Sequence, residues 1–256
     1  MKQYFKNTIK TIAVWPLFLP IACLALLAGM ILLTSCKPDR GKETPVARVT
    51  ENPRDLVMKI PMAEPTGEKL LVLKDHIPSL HIDLHYARSK NVSRHRLYYE
   101  TMPAMLDAST TRKLAVAQAT LLKQGYSLKV WDAYRPPEAH LRLWQLSGQS
   151  GYVADPRWGW SKHCSGRAVD VTLVDVESGR EVRMPSRFDD FSKKAASNYR
   201  GNSSTVAENL RALQAAMRKA GFRGIQMEWW HFENAVRFED NLPPIYADDA
   251  GVTVPQ

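Results

Sequence analysis

The segment Ser161-Lys162-His163-Cys164-Ser165-Gly166-Arg167-Ala168-Val169-Asp170 carries an imidazole and a carboxylate on the two sides of a glycine and runs directly into Val171-Thr172-Leu173-Val174. From Arg167 onward the residues alternate. Val169, Val171 and Leu173 point one way and Ala168, Asp170 and Thr172 the other, the period-two pattern of a half-buried strand rich in β-branched residues. Asp170 therefore leaves the strand on the face opposite the apolar set. Gly166 is free to take the backbone angles of a tight bend or a close approach, so the odd spacing of His163 and Asp170 does not force their side chains apart. A catalytic zinc site takes three protein ligands and leaves one position open, and this segment offers two of the ligands.

The third has to come from elsewhere. Gln226-Met227-Glu228-Trp229-Trp230-His231-Phe232 sets a carboxylate and an imidazole three residues apart among bulky apolar groups, which supplies His231 as a ligand and Glu228 as a base. On a flat strand these two side chains would face opposite ways, so a bulge or a single turn is expected between them. Together, Ser-x-His-x6-Asp followed by Glu-x-x-His resembles the zinc D-alanyl-D-alanine peptidases. Within them the double tryptophan at Trp229 and Trp230 is most similar to the D-alanyl-D-alanine dipeptidases, and the resemblance spans about residues 82–232.

The resemblance implies one zinc ion per chain held by His163, Asp170 and His231, with Glu228 as general base. It implies that Arg135, within Asp132-Ala133-Tyr134-Arg135-Pro136, stabilises the transition state. Tyr86, within Asp83-Leu84-His85-Tyr86-Ala87-Arg88, should lie close to the substrate, and Ser161 of the zinc pattern belongs with the substrate-binding residues. Asp189, in Met184-Pro185-Ser186-Arg187-Phe188-Asp189, should hold the substrate's free ammonium group. Read from the residues alone, Arg135 also fits a surface ion pair, and Asp189 a surface carboxylate pairing with Arg187 or a lysine. One tryptophan of the pair at 229–230 fits a core role as well as it fits a wall of the site.

The start of the chain has a different character. Lys2, Lys6 and Lys10 form a basic region without any acid, and residues 11–33 are an uncharged, mostly apolar run, the pattern of a secretion signal. Leu33-Thr34-Ser35-Cys36 resembles the lipobox of bacterial lipoproteins, in which the cysteine, here Cys36, is lipidated and becomes the mature N-terminus. The run is also long enough to span a bilayer as an uncleaved anchor. Either arrangement tethers the catalytic part to a membrane and turns it outward, to the periplasm or the cell exterior. Residues 1–35 are thus read as a lipoprotein signal peptide, 36–54, with Pro38, Pro45 and Pro53 among charged residues, as a flexible tether, and 55–256 as the dipeptidase domain.

Residues 1–35 hold three lysines and no acid, so their removal takes the formal net charge from +9 to +6. No run of five or six basic residues and no interleaving of basic with aromatic residues points to nucleic acid. Of three cysteines, Cys23, Cys36 and Cys164, the mature chain would keep one free thiol and no disulfide framework. Cys164 adjoins a ligand, but neighbouring side chains on a strand point apart and a fourth protein ligand would close the metal. It is expected to be buried and inert. His76, His81, His85 and His95 lack a ligand spacing and read as surface or capping residues, and His140 as structural.

Strands are expected at 70–73, 82–86 and 127–133, and helices at 108–124, ending at Gly125, and at 138–146. A hairpin is expected at Glu177-Ser178-Gly179-Arg180. Thr205-Val206-Ala207-Glu208 reads as a capping box opening a helix that buries Leu210, Leu213 and Met217 and ends at Gly221. The fold class expected is α+β, a single domain with a central antiparallel sheet flanked by helices. The function expected is zinc-dependent hydrolysis of the small dipeptide D-alanyl-D-alanine outside the cytoplasm. The alternatives are a D,D-carboxypeptidase or endopeptidase acting on longer peptidoglycan peptides, and a catalytically silent wall-binding lipoprotein, against which the presence of Glu228 beside a full ligand set argues.

Overall fold

Strand β5, Ala168–Asp175, is the element on which the site is built, and its burial differs from the expected half-buried pattern: every residue from Ala168 to Val174 is buried. The alternation persists in the register. Val171 pairs with Val130, Leu173 with Leu128 and Val169 with Phe232, whereas Asp170 pairs with His231 and with Asp132. Paired residues of antiparallel strands share a face, so one face is apolar and the other gathers Asp170, His231 and Asp132. Both are covered, the apolar one by packing and the polar one by the walls of a cavity.

The computed structural model describes residues 70–147, 151–234 and 243–255. The signal and tether expected over residues 1–54, including Cys36, lie outside the described residues, as does the start of the domain read from residue 55. Among the described residues no helix is long and apolar enough to cross a membrane.

In chain order the elements are β1 Leu70–Val72, α1 Leu73–His76, β2 His81–Ile82, β3 Met105–Asp107, α2 Ala108–Leu122, β4 Tyr126–Asp132, α3 Pro137–Leu146, β5, α4 Ser204–Lys219, β6 Phe222–Gly224 and β7 His231–Asn234. The architecture is α+β, with a five-stranded sheet in the order β2-β4-β5-β7-β6 and a two-stranded sheet β1-β3. The large sheet is antiparallel except at one edge, where β2 runs parallel to β4. Helices α2 and α4 pack on each other and against this sheet, and their buried residues Leu114, Leu121, Leu213 and Met217 join one core with Leu128, Val171 and Phe232.

Two expected boundaries move for local reasons. The strand read at 82–86 ends at Ile82, and a 3₁₀ turn over His85–Ala87 follows. Tyr86 is thereby buried, at 2 % exposure, and its carbonyl accepts from the amides of Leu97 and Tyr98. Helix α4 opens on Ser203, whose hydroxyl accepts from the Val206 amide at 3.4 Å. Thr205 thus lies inside the helix, and the expected capping box is replaced by a single serine cap. The hairpin at 177–180 forms as read: Gly179 has φ 68°, and its amide donates to the Asp175 carbonyl at 2.9 Å.

Candidate metal centre and active site

Two turns and a strand bulge deliver the polar residues onto the polar face of β5. The first is the segment before it. Residues Lys162–Ser165 form a 3₁₀ turn capped by the Ser161 hydroxyl, which accepts from the His163 amide at 3.3 Å. Gly166 closes the turn with φ 70° and ψ 19°, the left-handed region, and its carbonyl accepts from the Asp107 amide at 3.1 Å. A side chain at 166 would also have no room: a Cβ there would sit 2.5 Å from Leu70 Cδ2 and 2.9 Å from Asp107 N. This one glycine reverses the chain, so that His163 comes back over Asp170.

The second piece is the turn before β7. Residues 229 and 230 form a turn rather than strand, and β7 begins at His231. Within a turn, residues three apart fall on one side, so Glu228 comes within 4.0 Å of His231, measured from Oε2 to Nδ1. The two tryptophans divide their work. Trp230 lines the cavity, whereas Trp229 is fully buried, packs edge-on against Trp131 and donates its indole N–H to Ser186 Oγ at 3.0 Å.

The third piece is a bulge in β4 between Val130 and Asp132, which brings Asp132 opposite Asp170. Asp132 Oδ2 accepts from Arg135 Nε at 2.9 Å and from Nη2 at 2.6 Å, while Oδ1 accepts from the Tyr98 hydroxyl at 2.8 Å. Arg135 is buried at 6 % exposure, with its guanidinium over the Tyr86 ring and Nη2 4.0 Å from Asp170 Oδ2. The reading of Arg135 as a surface ion pair is thereby ruled out; it is an interior pair beside Asp170.

His163 Nε2, Asp170 Oδ1 and His231 Nδ1 form a triangle with sides of 3.2 Å (His163–His231), 2.9 Å (His231–Asp170) and 3.4 Å (His163–Asp170). A tetrahedral zinc ion with arms of roughly 2.0–2.1 Å has ligand atoms roughly 3.3 Å apart. The triangle therefore fits one face of such a site, and among the described residues these are the His, Cys, Asp and Glu side chains grouped closely enough to hold a metal. The outer nitrogens are also committed. His163 Nδ1 lies 2.6 Å from the Ala133 carbonyl and His231 Nε2 3.5 Å from Glu233 Oε1, the supporting contacts that fix the tautomer of ligating histidines. Burial opposes charge on both partners, yet the neighbouring histidines hold Asp170 well below the usual carboxylate range. Hydrogen bonding to Asp170 and Glu233 pushes His231 up to about 10. The cluster favours a positive charge at its centre, whether proton or metal ion.

A cavity of about 270 Å³ opens beside the triangle. Tyr86, Arg135, Ser161, His163, Asp170, Asp189, Glu228 and His231, the residues singled out in the sequence apart from Cys36, all line it. Ligand sites commonly run about 300–1,000 Å³, so this one suits a very small molecule. Burial pushes Glu228 up to about 6, with Asp170 adding to the rise. Asp189 is half-buried on the cavity wall. Its oxygens accept from the Tyr86 hydroxyl at 3.1–3.2 Å, and burial, reinforced by Asp170, pushes its carboxyl up to about 8. A surface carboxylate would show neither property. Cys164 is fully buried, outside the ligand group, and its thiol is pushed up to about 12 by burial.

Sequence reasoning missed Asp132, Glu233 and His140 as parts of this arrangement. Glu233 was readable, since it lies two residues past His231 on the same strand face. Asp132 depends on a bulge and His140 on a helix docking, neither of which has a sequence signature here.

The chain matches, over residues 66–247, the model of the peptidase M15 family described as D-ala-D-ala dipeptidase. It is 35 % identical over 157 residues to the D-alanyl-D-alanine dipeptidase of Escherichia coli (strain K12), covering 61 % of this chain and 79 % of that protein. It is 32 % identical over 156 residues to the D-alanyl-D-alanine dipeptidase of Enterococcus faecium, covering 53 % and 74 %. The one from Enterococcus faecalis (strain ATCC 700802 / V583) is 29 % identical over 141 residues, covering 47 % and 68 %. The small cavity, the His-Asp-His triangle and the match over most of the chain agree, and the protein belongs to the D-ala-D-ala dipeptidase family of zinc peptidases.

Proposed function

We propose that the protein hydrolyses D-alanyl-D-alanine to two D-alanines with one zinc ion per chain, held by His163, Asp170 and His231. The observation that carries this reading is the pairing of the ligand triangle with a cavity of about 270 Å³ that has a half-buried carboxylate, Asp189, on its wall. When bound, zinc supplies Lewis-acid activation of water and of the scissile carbonyl at neutral pH.

The chain's own groups do the rest. Glu228 takes the proton of the attacking water and hands it to the amine of the departing D-alanine, a role suited to a carboxyl pushed up to about 6. Arg135 has five N–H donors; Asp132 and His140 engage three of them. One N–H on each terminal nitrogen is left for the oxygen that gains charge as the carbonyl becomes tetrahedral. Asp189, raised because burial and nearby carboxylates surround it, regains a partner when a substrate ammonium enters, and the Tyr86 hydroxyl steadies its oxygens. Ser161 holds the turn that carries His163 and lines the same cavity.

The address proposed is outside the cytoplasm, on a membrane through lipid on Cys36, where the enzyme would recover dipeptide released during wall turnover. The test compares D-alanyl-D-alanine, its N-acetylated form and a stem pentapeptide as substrates. Strong preference for the free dipeptide is expected, and equal cleavage of all three would replace this reading with the carboxypeptidase one. Radiolabelled palmitate should enter the wild type and not Cys36→Ala.

A further inference from the structure

We propose that His140 is a positioning residue for catalysis, which fixes the Arg135 guanidinium and couples it to the cavity wall around Ala154. The inference rests on Arg135 acting on the substrate as described above. His140 sits in the first turn of α3, has 0 % exposure and faces the same cavity as Arg135 and Ala154. Its Nδ1 lies 3.2 Å from Arg135 Nη1 and its Nε2 2.9 Å from the Ala154 carbonyl.

The protonation of the ring follows from its neighbours. Arginine has only donors to offer and a carbonyl only accepts, so Nδ1 must present a lone pair and Nε2 must carry the hydrogen. A doubly protonated ring would set an N–H against a guanidinium. Burial and the Arg135 charge push His140 down to about 3, which keeps it neutral throughout the working range.

The consequence for Arg135 is geometric. Asp132 grips one edge of the guanidinium, through Nε and Nη2. A plane held along one edge still rocks about it. His140 takes a donor from the other terminal nitrogen, so the plane has supports on both sides and its two remaining N–H groups have a defined direction. Catalytic donors work by being in place before charge develops, and a misplacement of about 1 Å costs on the order of a hundredfold in rate. The ring edge also meets Trp160, at 6.0 Å between centroids, so the same side chain ties Arg135 to the segment that carries Ala154 and Trp160.

Three substitutions separate the two bonds. His140→Leu removes both; His140→Asn keeps an acceptor in the position of Nδ1; His140→Gln keeps a donor in the position of Nε2. For D-alanyl-D-alanine, kcat should fall roughly 10- to 100-fold in His140→Leu, with KM moving less than about threefold, because the lost support acts on the transition state. His140→Asn should recover most of that loss and His140→Gln little of it. In an Arg135→Ala background His140→Leu should cost less than about twofold more, since residues acting as a unit are not additive. Nitrogen-15 NMR of the zinc-loaded wild type should show the Nε2–H tautomer and sharp Arg135 N–H signals that broaden in His140→Leu. Equal losses in both backgrounds, wild-type kcat in folded His140→Leu, or unchanged Arg135 signals would each overturn the proposal. If the wild type fails to cleave the dipeptide at all, the dipeptidase reading falls, and the NMR comparison still decides whether His140 fixes Arg135.

Discussion

Substituting Gly166 by alanine tests whether the reversal before β5 is what joins His163 to Asp170. Two costs add at this position. An L-residue in the left-handed region costs about 1–2 kcal/mol, and Gly166 has φ 70°. The new methyl would also sit 2.9 Å from the Asp107 amide nitrogen, which cannot move aside because it donates to the Gly166 carbonyl, and 2.5 Å from Leu70 Cδ2. Overpacking of this kind costs roughly 1–3 kcal/mol. The sum is about 2–5 kcal/mol, or a fall in Tm of roughly 4–20 °C at 2–4 °C per kcal/mol for a domain of this size. Gly125 is the matched control: φ is 80°, and a Cβ there meets nothing within 4 Å. Gly125→Ala should therefore show the backbone cost alone, about 1–2 kcal/mol. Urea unfolding of the metal-free proteins measures both variants, and zinc titration should show weakened binding in Gly166→Ala only. If Gly166→Ala loses no more stability than Gly125→Ala and binds zinc as the wild type does, the close-packed turn is not what sets the ligand geometry.

Asp189→Ala should lower kcat/KM for the free dipeptide about a hundredfold or more, because it strips the ammonium of its charged partner inside the cavity; a loss below about threefold would sink the assignment. Cys164→Ser should keep its zinc and most of its activity, and the wild-type thiol, pushed up to about 12, should resist iodoacetamide at pH 8 until the protein is unfolded. Burial and the Arg135 charge hold His140 down to about 3, against about 6.5 for an ordinary imidazole. Below the unfolded value the unfolded chain therefore takes the proton first, and stability falls as pH drops from about 6.5 toward 3. In chelator, the wild type should lose about 2 kcal/mol more than His140→Gln between pH 7 and pH 5, and parallel pH curves for the two proteins would refute it.

Much of the site was legible in the sequence because its parts are short-range. The alternation from Ala168 to Leu173 carries the strand, the glycine between His163 and Asp170 carries the reversal, and Glu228 and His231 are three residues apart. What could not be read is what depends on long-range register. The pairing of Asp170 with His231, and the β4 bulge that sets Asp132 under Arg135, arise from how strands separated by tens of residues slide against each other. The parallel edge pair of β2 with β4 is of the same kind, as is the burial of both faces of β5, because a period-two pattern does not say what covers the polar side. The shift of the α4 cap from Thr205 to Ser203 has a local cause: two serines and a threonine compete for one helix start, and only backbone geometry chooses among them.

Zinc content and dipeptide turnover, measured together on purified wild type and Glu228→Ala, test most directly whether Glu228 is a base beside a metal held by His163, Asp170 and His231. One equivalent of zinc is expected in both, with turnover in the wild type that stops with chelator and returns with zinc, and a loss of roughly 10²-fold or more in Glu228→Ala. A Glu228→Ala protein that purifies without zinc, or a wild type that hydrolyses the dipeptide undiminished in chelator, would contradict it.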